Sequence, residues 1–215
     1  MVTKLTRMLS IFLLLGLAGC SEAQTTKTQN LYQEDKDGRY INAGIYEVIY
    51  SEEYEQPLEV FYVVECPDGS ASRKGMTFYT NDSVHTSDDK DYVNNVWDKG
   101  HMAPAADFNC DTEMLFKTFS YLNCALQHER LNRGQWKQLE EFEREMATQF
   151  QVVQVMIEVH FTTKKKLLTG ATIPDGFTKT IRCYSSIKDG TNAEFVFFFK
   201  NEDPGTKNWM DFQVN

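Results

Sequence analysis

The sequence predicts an α+β domain, and three observations carry that reading. Apolar, β-branched segments precede a single amphipathic helix, others follow it, and no regular strand–helix–strand alternation occurs. A central antiparallel sheet with one long helix packed on it satisfies all three.

Taken in order, the first strand is expected over residues 45–50 and the second over residues 58–64. Both are rich in β-branched and aromatic residues, and a polar turn from Ser51 to Pro57 joins them. The helix is expected from Arg133 to Gln149, where Trp136, Leu139, Phe142, Met146 and Phe150 recur at spacings of three and four and draw one apolar stripe. Glu140 and Arg144 border that stripe four residues apart, so they point the same way. Residues 152–161 alternate: Val153, Val155, Ile157, Val159 and Phe161 share one face. His160 therefore falls on the other face with Gln154 and Glu158, as an outward strand histidine. Residues 193–200 carry Phe195, Val196, Phe197, Phe198 and Phe199 in a row, a pattern that suggests burial on both faces.

A chain of 215 residues, 41% hydrophobic and 25% charged, can build one globular domain with a substantial core. Residues 1–19 stand apart from it. Lys4 and Arg7 precede an apolar run, Met8 to Ala18, too short to span a bilayer comfortably. The run ends in Leu17-Ala18-Gly19-Cys20, which resembles the lipobox of bacterial lipoproteins. That resemblance implies a signal peptide over 1–19, cleavage before Cys20 and acylation of its thiol. It also implies a lipid-anchored cell-envelope location, and Ser21 after the cysteine points to an outer membrane. Residues 20–40, polar and rich in Gln, Thr, Lys and Asp, are expected to be a flexible tether to a domain over 41–215.

Removing residues 1–19 takes away Lys4 and Arg7 and moves the formal net charge from -9 to -11. An acidic body counts against a tight, processive binder of nucleic acid, but not against an enzyme whose positive field is local to a cleft. Cys66, Cys110, Cys124 and Cys183 permit two disulfides in three connectivities, and the lack of Cys-x-x-Cys argues against a zinc site.

The chemistry concentrates in Asp98-Lys99-Gly100-His101-Met102-Ala103-Pro104, then Asn123, then Asn132-Arg133-Gly134-Gln135-Trp136-Lys137-Gln138-Leu139-Glu140. A histidine can take a proton from water, oxygen ligands suit a hard divalent cation, and Lys or Arg can offset charge on a phosphate. These ordered elements resemble the DNA/RNA non-specific endonuclease family, the sugar-non-specific ββα-metal nucleases, over about Arg73 to Lys179. The family's Asp-Arg-Gly-His-x-Ala-Pro has Lys99 here in place of Arg, and Leu126 stands where relatives usually carry Pro.

The resemblance implies the ββα-metal nuclease fold and hydrolysis of DNA or RNA phosphodiesters with little sequence preference, leaving 5′-phosphate ends. It implies His101 as general base and Asn123 as the direct protein ligand of Mg²⁺, with Mn²⁺ as the alternative metal. Glu140 acts through a metal-bound water, Arg144 clamps phosphate, Lys99 offsets transition-state charge, and Arg73 touches substrate. Asn132 supports the site loop or caps the helix. The basic run Lys164-Lys165-Lys166 reads as a solvated turn. A lipoprotein that keeps this fold only as a catalytically weak or inactive binding module is the alternative, favoured by the acidic charge and Lys99.

Overall fold

The computed structural model describes residues 38–185 and 192–214. The expected signal peptide, Cys20 and the tether up to residue 37 lie outside the described residues. The main sheet has six antiparallel strands in the order β1-β2-β3-β6-β7-β8: Arg39–Asn42, Tyr46–Ser51, Gln56–Val63, Val152–His160, Gly176–Tyr184 and Ala193–Lys200. Its first strand begins at Arg39, so ordered structure starts inside the segment expected to be tether.

The alternation of β6 is realised: Val153, Val155, Ile157 and Val159 are buried, and His160 turns to the other face, its Nε2 2.7 Å from the Thr178 hydroxyl. β8 departs from expectation. It is an outer strand, so only Phe197 and Phe199 are buried while Phe198 stays 38% exposed. Its outer side is met only by a short bridge from Gln213 and Val214, and its packed layer lies on one face.

A two-stranded hairpin, β4 (Trp97–His101) and β5 (Cys124–His128), lies outside that sheet and leads into the long helix Lys137–Gln149. The helix buries Leu139 and Met146, and Trp136 before it joins Val155, Ile157, Phe177, Ile181 and Phe199 in one core. The predicted helix start is irregular. A wide π-turn, Asn132–Trp136, replaces the first turn because Gly134 sits at φ -108°, ψ -107°.

The free edge of β5 would leave backbone groups unpaired in a buried setting. Two side-chain amides meet them. Gln56 Oε1 accepts from the Leu126 N–H at 2.9 Å, Asn201 Nδ2 donates to the Leu126 carbonyl at 2.8 Å, and the His128 N–H donates to Asn201 Oδ1 at 2.8 Å. Gly100 is required by the partner strand: a Cβ there would stand 2.5 Å from Gln127 Oε1 and 2.6 Å from Gln127 Cβ.

Candidate active site

His101 ends β4, and the arm that follows it is fixed at several points. The Cys66–Cys110 disulfide closes its far end, and the Cys66 N–H donates to the Asp107 carbonyl at 2.9 Å. Of the four domain cysteines only this pair is bridged; Cys124 and Cys183 are buried thiols. The middle of the arm is held by Asn123.

That finding corrects the expected role of Asn123. Its side chain is 0% exposed, Oδ1 accepts from the Ala103 N–H at 2.7 Å, and Nδ2 donates to the carbonyls of Ala103 (2.9 Å) and Thr118 (3.0 Å). An amide committed to three backbone groups in the interior staples the arm. It does not present its oxygen to a cleft.

His101 is half-buried, its ring 4.9 Å from Phe78 and 5.0 Å from Phe119 between centroids. Its Nε2 is buried without a hydrogen-bond partner. Burial, reinforced by the nearby Arg73 guanidinium, lowers the imidazole to about 4. The ring is therefore neutral at physiological pH and able to accept a proton. Arg73 itself is exposed, and among the described residues no carboxylate pairs with it.

Lys99 is less available than expected. Its ammonium bonds to Asp89 and lies 5.1 to 5.8 Å from the ring centroids of Phe78, Tyr121 and Tyr92. Tyr121 also donates to Asp89, at 2.6 Å. The cation is caged by rings and a carboxylate, which satisfies it within the fold.

On the helix side, Asp98 gathers three donors: Asn132 Nδ2 at 3.0 Å and the Arg133 Nε and Nη2 at 2.8 and 2.6 Å. With its amide nitrogen held, Asn132 leaves Oδ1 accessible and unbonded. Residues 132, 136, 140 and 144 then descend one side of the helical segment in steps of four. Glu140 is half-buried with no direct ion pair; burial raises its carboxyl to about 7, against the nearby Lys179 charge. Arg144 uses Nη1 to bind Asp107 at 2.8 Å, tying the helix to the His101 arm. Burial and the neighbouring Glu143 push Asp107 well above the usual carboxylate range.

Beneath these groups lies a polar cluster that sequence reasoning missed. Lys179 and Glu143 are both 0% exposed and pair at 2.5 Å. Tyr62 donates to the other Glu143 oxygen at 2.6 Å, and the ammonium stands 4.2 Å from the Trp136 ring centroid. Two signals for it were present. Glu143 falls on the apolar stripe of the helix, and Lys179 shares inward register with Phe177, Ile181 and Cys183.

The structure thus brings Arg73 close to His101, and joins Glu140 and Arg144 to the buried Asp107, Glu143 and Lys179. It buries Asn123 on the backbone and engages Lys99, 27% exposed, with Asp89 and the surrounding rings. Among the described residues no group of three or more His, Cys, Asp or Glu could hold a metal. A divalent cation that keeps most of its waters needs no such cluster, and the oxygens of Asn132 and Glu140 fit it.

A sequence model described as DNA/RNA non-specific endonuclease matches residues 23–215. The zebrafish (Danio rerio) mitochondrial nuclease EXOG is 35% identical over 91 residues, which are 41% of this chain and 26% of that protein. Bovine (Bos taurus) mitochondrial endonuclease G is 32% identical over 90 residues, 40% of this chain and 30% of that protein. A nuclease of a Nostoc species is 27% identical over 130 residues, 58% of this chain and 47% of that protein. The match thus spans less than a third of the mitochondrial relatives and about half of the cyanobacterial one. In structure, the EndoG/EndoGI complex matches with a TM-score of 0.74 at 21% identity, over 82% of this chain and 80% of that one. The fold is therefore that of the ββα-metal nucleases, with β4, β5 and the long helix as its motif.

Proposed function

Since the chain belongs to the DNA/RNA non-specific endonuclease family, we propose that it is a metal-dependent endonuclease cutting DNA or RNA phosphodiesters with little sequence preference. The single observation that carries this reading is His101: a neutral imidazole with an unpartnered buried nitrogen, beside the exposed Arg73 guanidinium. A neutral imidazole can take the proton of a water attacking phosphorus, while the guanidinium draws the phosphate toward it. Asn132 Oδ1 and the Glu140 carboxylate would hold Mg²⁺ or Mn²⁺, Glu140 through a bound water, and the ion when bound supplies charge neutralisation at phosphate and leaving oxygen. Arg144 keeps one arm on Asp107 and offers its remaining N–H groups to phosphate. The inactive-module alternative gives no reason for an orphaned, neutral histidine nitrogen beside a free guanidinium.

The same reading extends to the address: an enzyme anchored in a bacterial envelope through acylated Cys20. Plasmid nicking with and without EDTA, on the wild type and His101→Ala, tests the activity. Cleavage that is lost on chelation and falls by about 10²–10⁴-fold in the variant is expected. Cleavage that survives both would sink the mechanism.

A further inference from the structure

We propose that the groove beside His101 is a stacking subsite for an unpaired nucleobase, so that single-stranded or locally opened nucleic acid is the preferred substrate. The proposal rests on the nuclease reading and deepens it. Half-buried Phe78 and Tyr79 form the groove's aromatic walls over the buried Tyr121, with Asp88, Asp89 and Lys90 along it. Phe78 belongs both to this groove and to the surroundings of His101, whose ring lies 4.9 Å away. A nucleotide whose phosphate meets His101 and Arg73 therefore has its base within reach of these rings.

The rings are held open rather than collapsed. Phe78 is braced by Phe119 and Tyr121, at 5.3 and 5.5 Å between centroids. Tyr79 is stacked on Phe116 at 4.8 Å and 13°, and its backbone bonds both ways, to the Phe119 carbonyl and the Tyr121 N–H. Rigid aromatic faces lose little entropy when a base stacks on them.

Charge selects which part of a nucleotide enters. Asp88 is paired with Lys90 at 2.9 Å, and Asp89 with Lys99. The groove's charges are thus already paired, so its cations do not draw a phosphate into it. An uncharged, flat, polarisable base is the part this surface accepts. The formal charge of -9 adds to the argument, because an acidic protein gains little from general attraction to a phosphate backbone. Stacking supplies affinity without reading sequence. Bases in a duplex are already stacked and must first be extruded at a cost, whereas those of a single strand are free to enter.

Equilibrium binding in EDTA, where metal-dependent cleavage stops, tests this with an oligonucleotide carrying 2-aminopurine, single-stranded or annealed. Quenching of the probe and tighter binding of the single strand by at least about 5-fold are expected. Tyr79→Leu keeps an apolar contact with Phe116 but removes the ring, and should weaken single-strand binding by about 5- to 150-fold while leaving the duplex nearly unchanged. Tyr79→Phe should bind like the wild type. Equal affinity for both forms, no quenching, or an equal loss on both in Tyr79→Leu would overturn the subsite. Metal-dependent nicking, measured separately, distinguishes the two readings: cleavage without single-strand preference overturns the subsite alone. Quenching and single-strand preference without any cleavage would overturn the nuclease reading and leave the subsite standing.

Discussion

Replacing Lys179 with Met probes the layer on which the candidate site rests. The ammonium is wholly buried, 2.5 Å from a Glu143 oxygen and 4.2 Å from the Trp136 ring centroid. Methionine matches the stem but removes the charge, leaving Glu143 in the interior with only the Tyr62 hydroxyl at 2.6 Å. Breaking a buried pair from one side costs about 3–5 kcal/mol, because the surviving charge is uncompensated. In a domain of this size each kcal/mol moves Tm by about 2–4 °C, so a fall of roughly 6–20 °C is expected. The double variant Lys179→Met/Glu143→Gln removes both charges and keeps an acceptor for Tyr62. It should recover more than half of the loss, since desolvation offsets most of what an intact buried pair contributes. Calorimetry and urea unfolding at neutral pH would measure both. A single variant losing less than about 1 kcal/mol, or a double variant no more stable than the single, would refute the reasoning.

Three further outcomes are expected. With metal absent, these two groups together, His101 and Glu140, should give a broad stability plateau centred near pH 5.5. The depressed His101 contributes stability present above about 6.5 and lost as pH falls toward about 4, while the raised Glu140 contributes stability present below about 4.5 and lost as pH rises through about 7. Thermal scans against pH, with Glu140→Gln flattening the alkaline loss, check this; no change in the variant would remove Glu140 as the cause. Asn123→Ala should destabilise by about 2–4 kcal/mol without rescue by metal, because three backbone groups lose their partner. Asn132→Ala should fold normally and regain part of its activity at high Mg²⁺, and the reverse pattern in the two variants would restore Asn123 as ligand. Cys20→Ser should free the protein from membrane fractions with nicking activity intact, and wild-type protein lacking lipid mass on its N-terminal peptide would contradict the anchor.

The parts of the fold legible in the sequence are those whose burial follows one simple period. β6 alternates because one face packs on the core, and the long helix shows its stripe because one side does. The β4–β5 hairpin escapes such reading. Lys99 is spent on an aromatic cage, Asp98 on Asn132 and Arg133, and Gly100 on the close approach of Gln127, so no apolar alternation survives. β7 hides for a related reason: an inward lysine looks like an outward one until its partner on a distant helix is known. The motif around His101 was legible as chemistry, yet it could not say which of two nearby asparagines faces the cleft. That depends on whether backbone or solvent receives the amide. Asn123 lies where the arm folds over Ala103, and Asn132 lies where the π-turn opens the helix start.

The groups beneath the helix set Glu140 apart from its neighbouring carboxylates. Asp107, Glu140 and Glu143 face Arg144 and Lys179, which leaves one acidic group in excess. Glu143 holds Lys179 and the Tyr62 hydroxyl, and Asp107 holds Arg144, so each has a direct donor. Glu140 is the member with some exposure and no ion pair. A lone carboxylate in that setting either keeps a proton or exchanges it for a cation, and its elevation to about 7 sets the balance at physiological pH. The acidic cluster below and the neutral histidine on the adjoining arm, linked through Asp107 and Arg144, are in this sense one electrostatic unit.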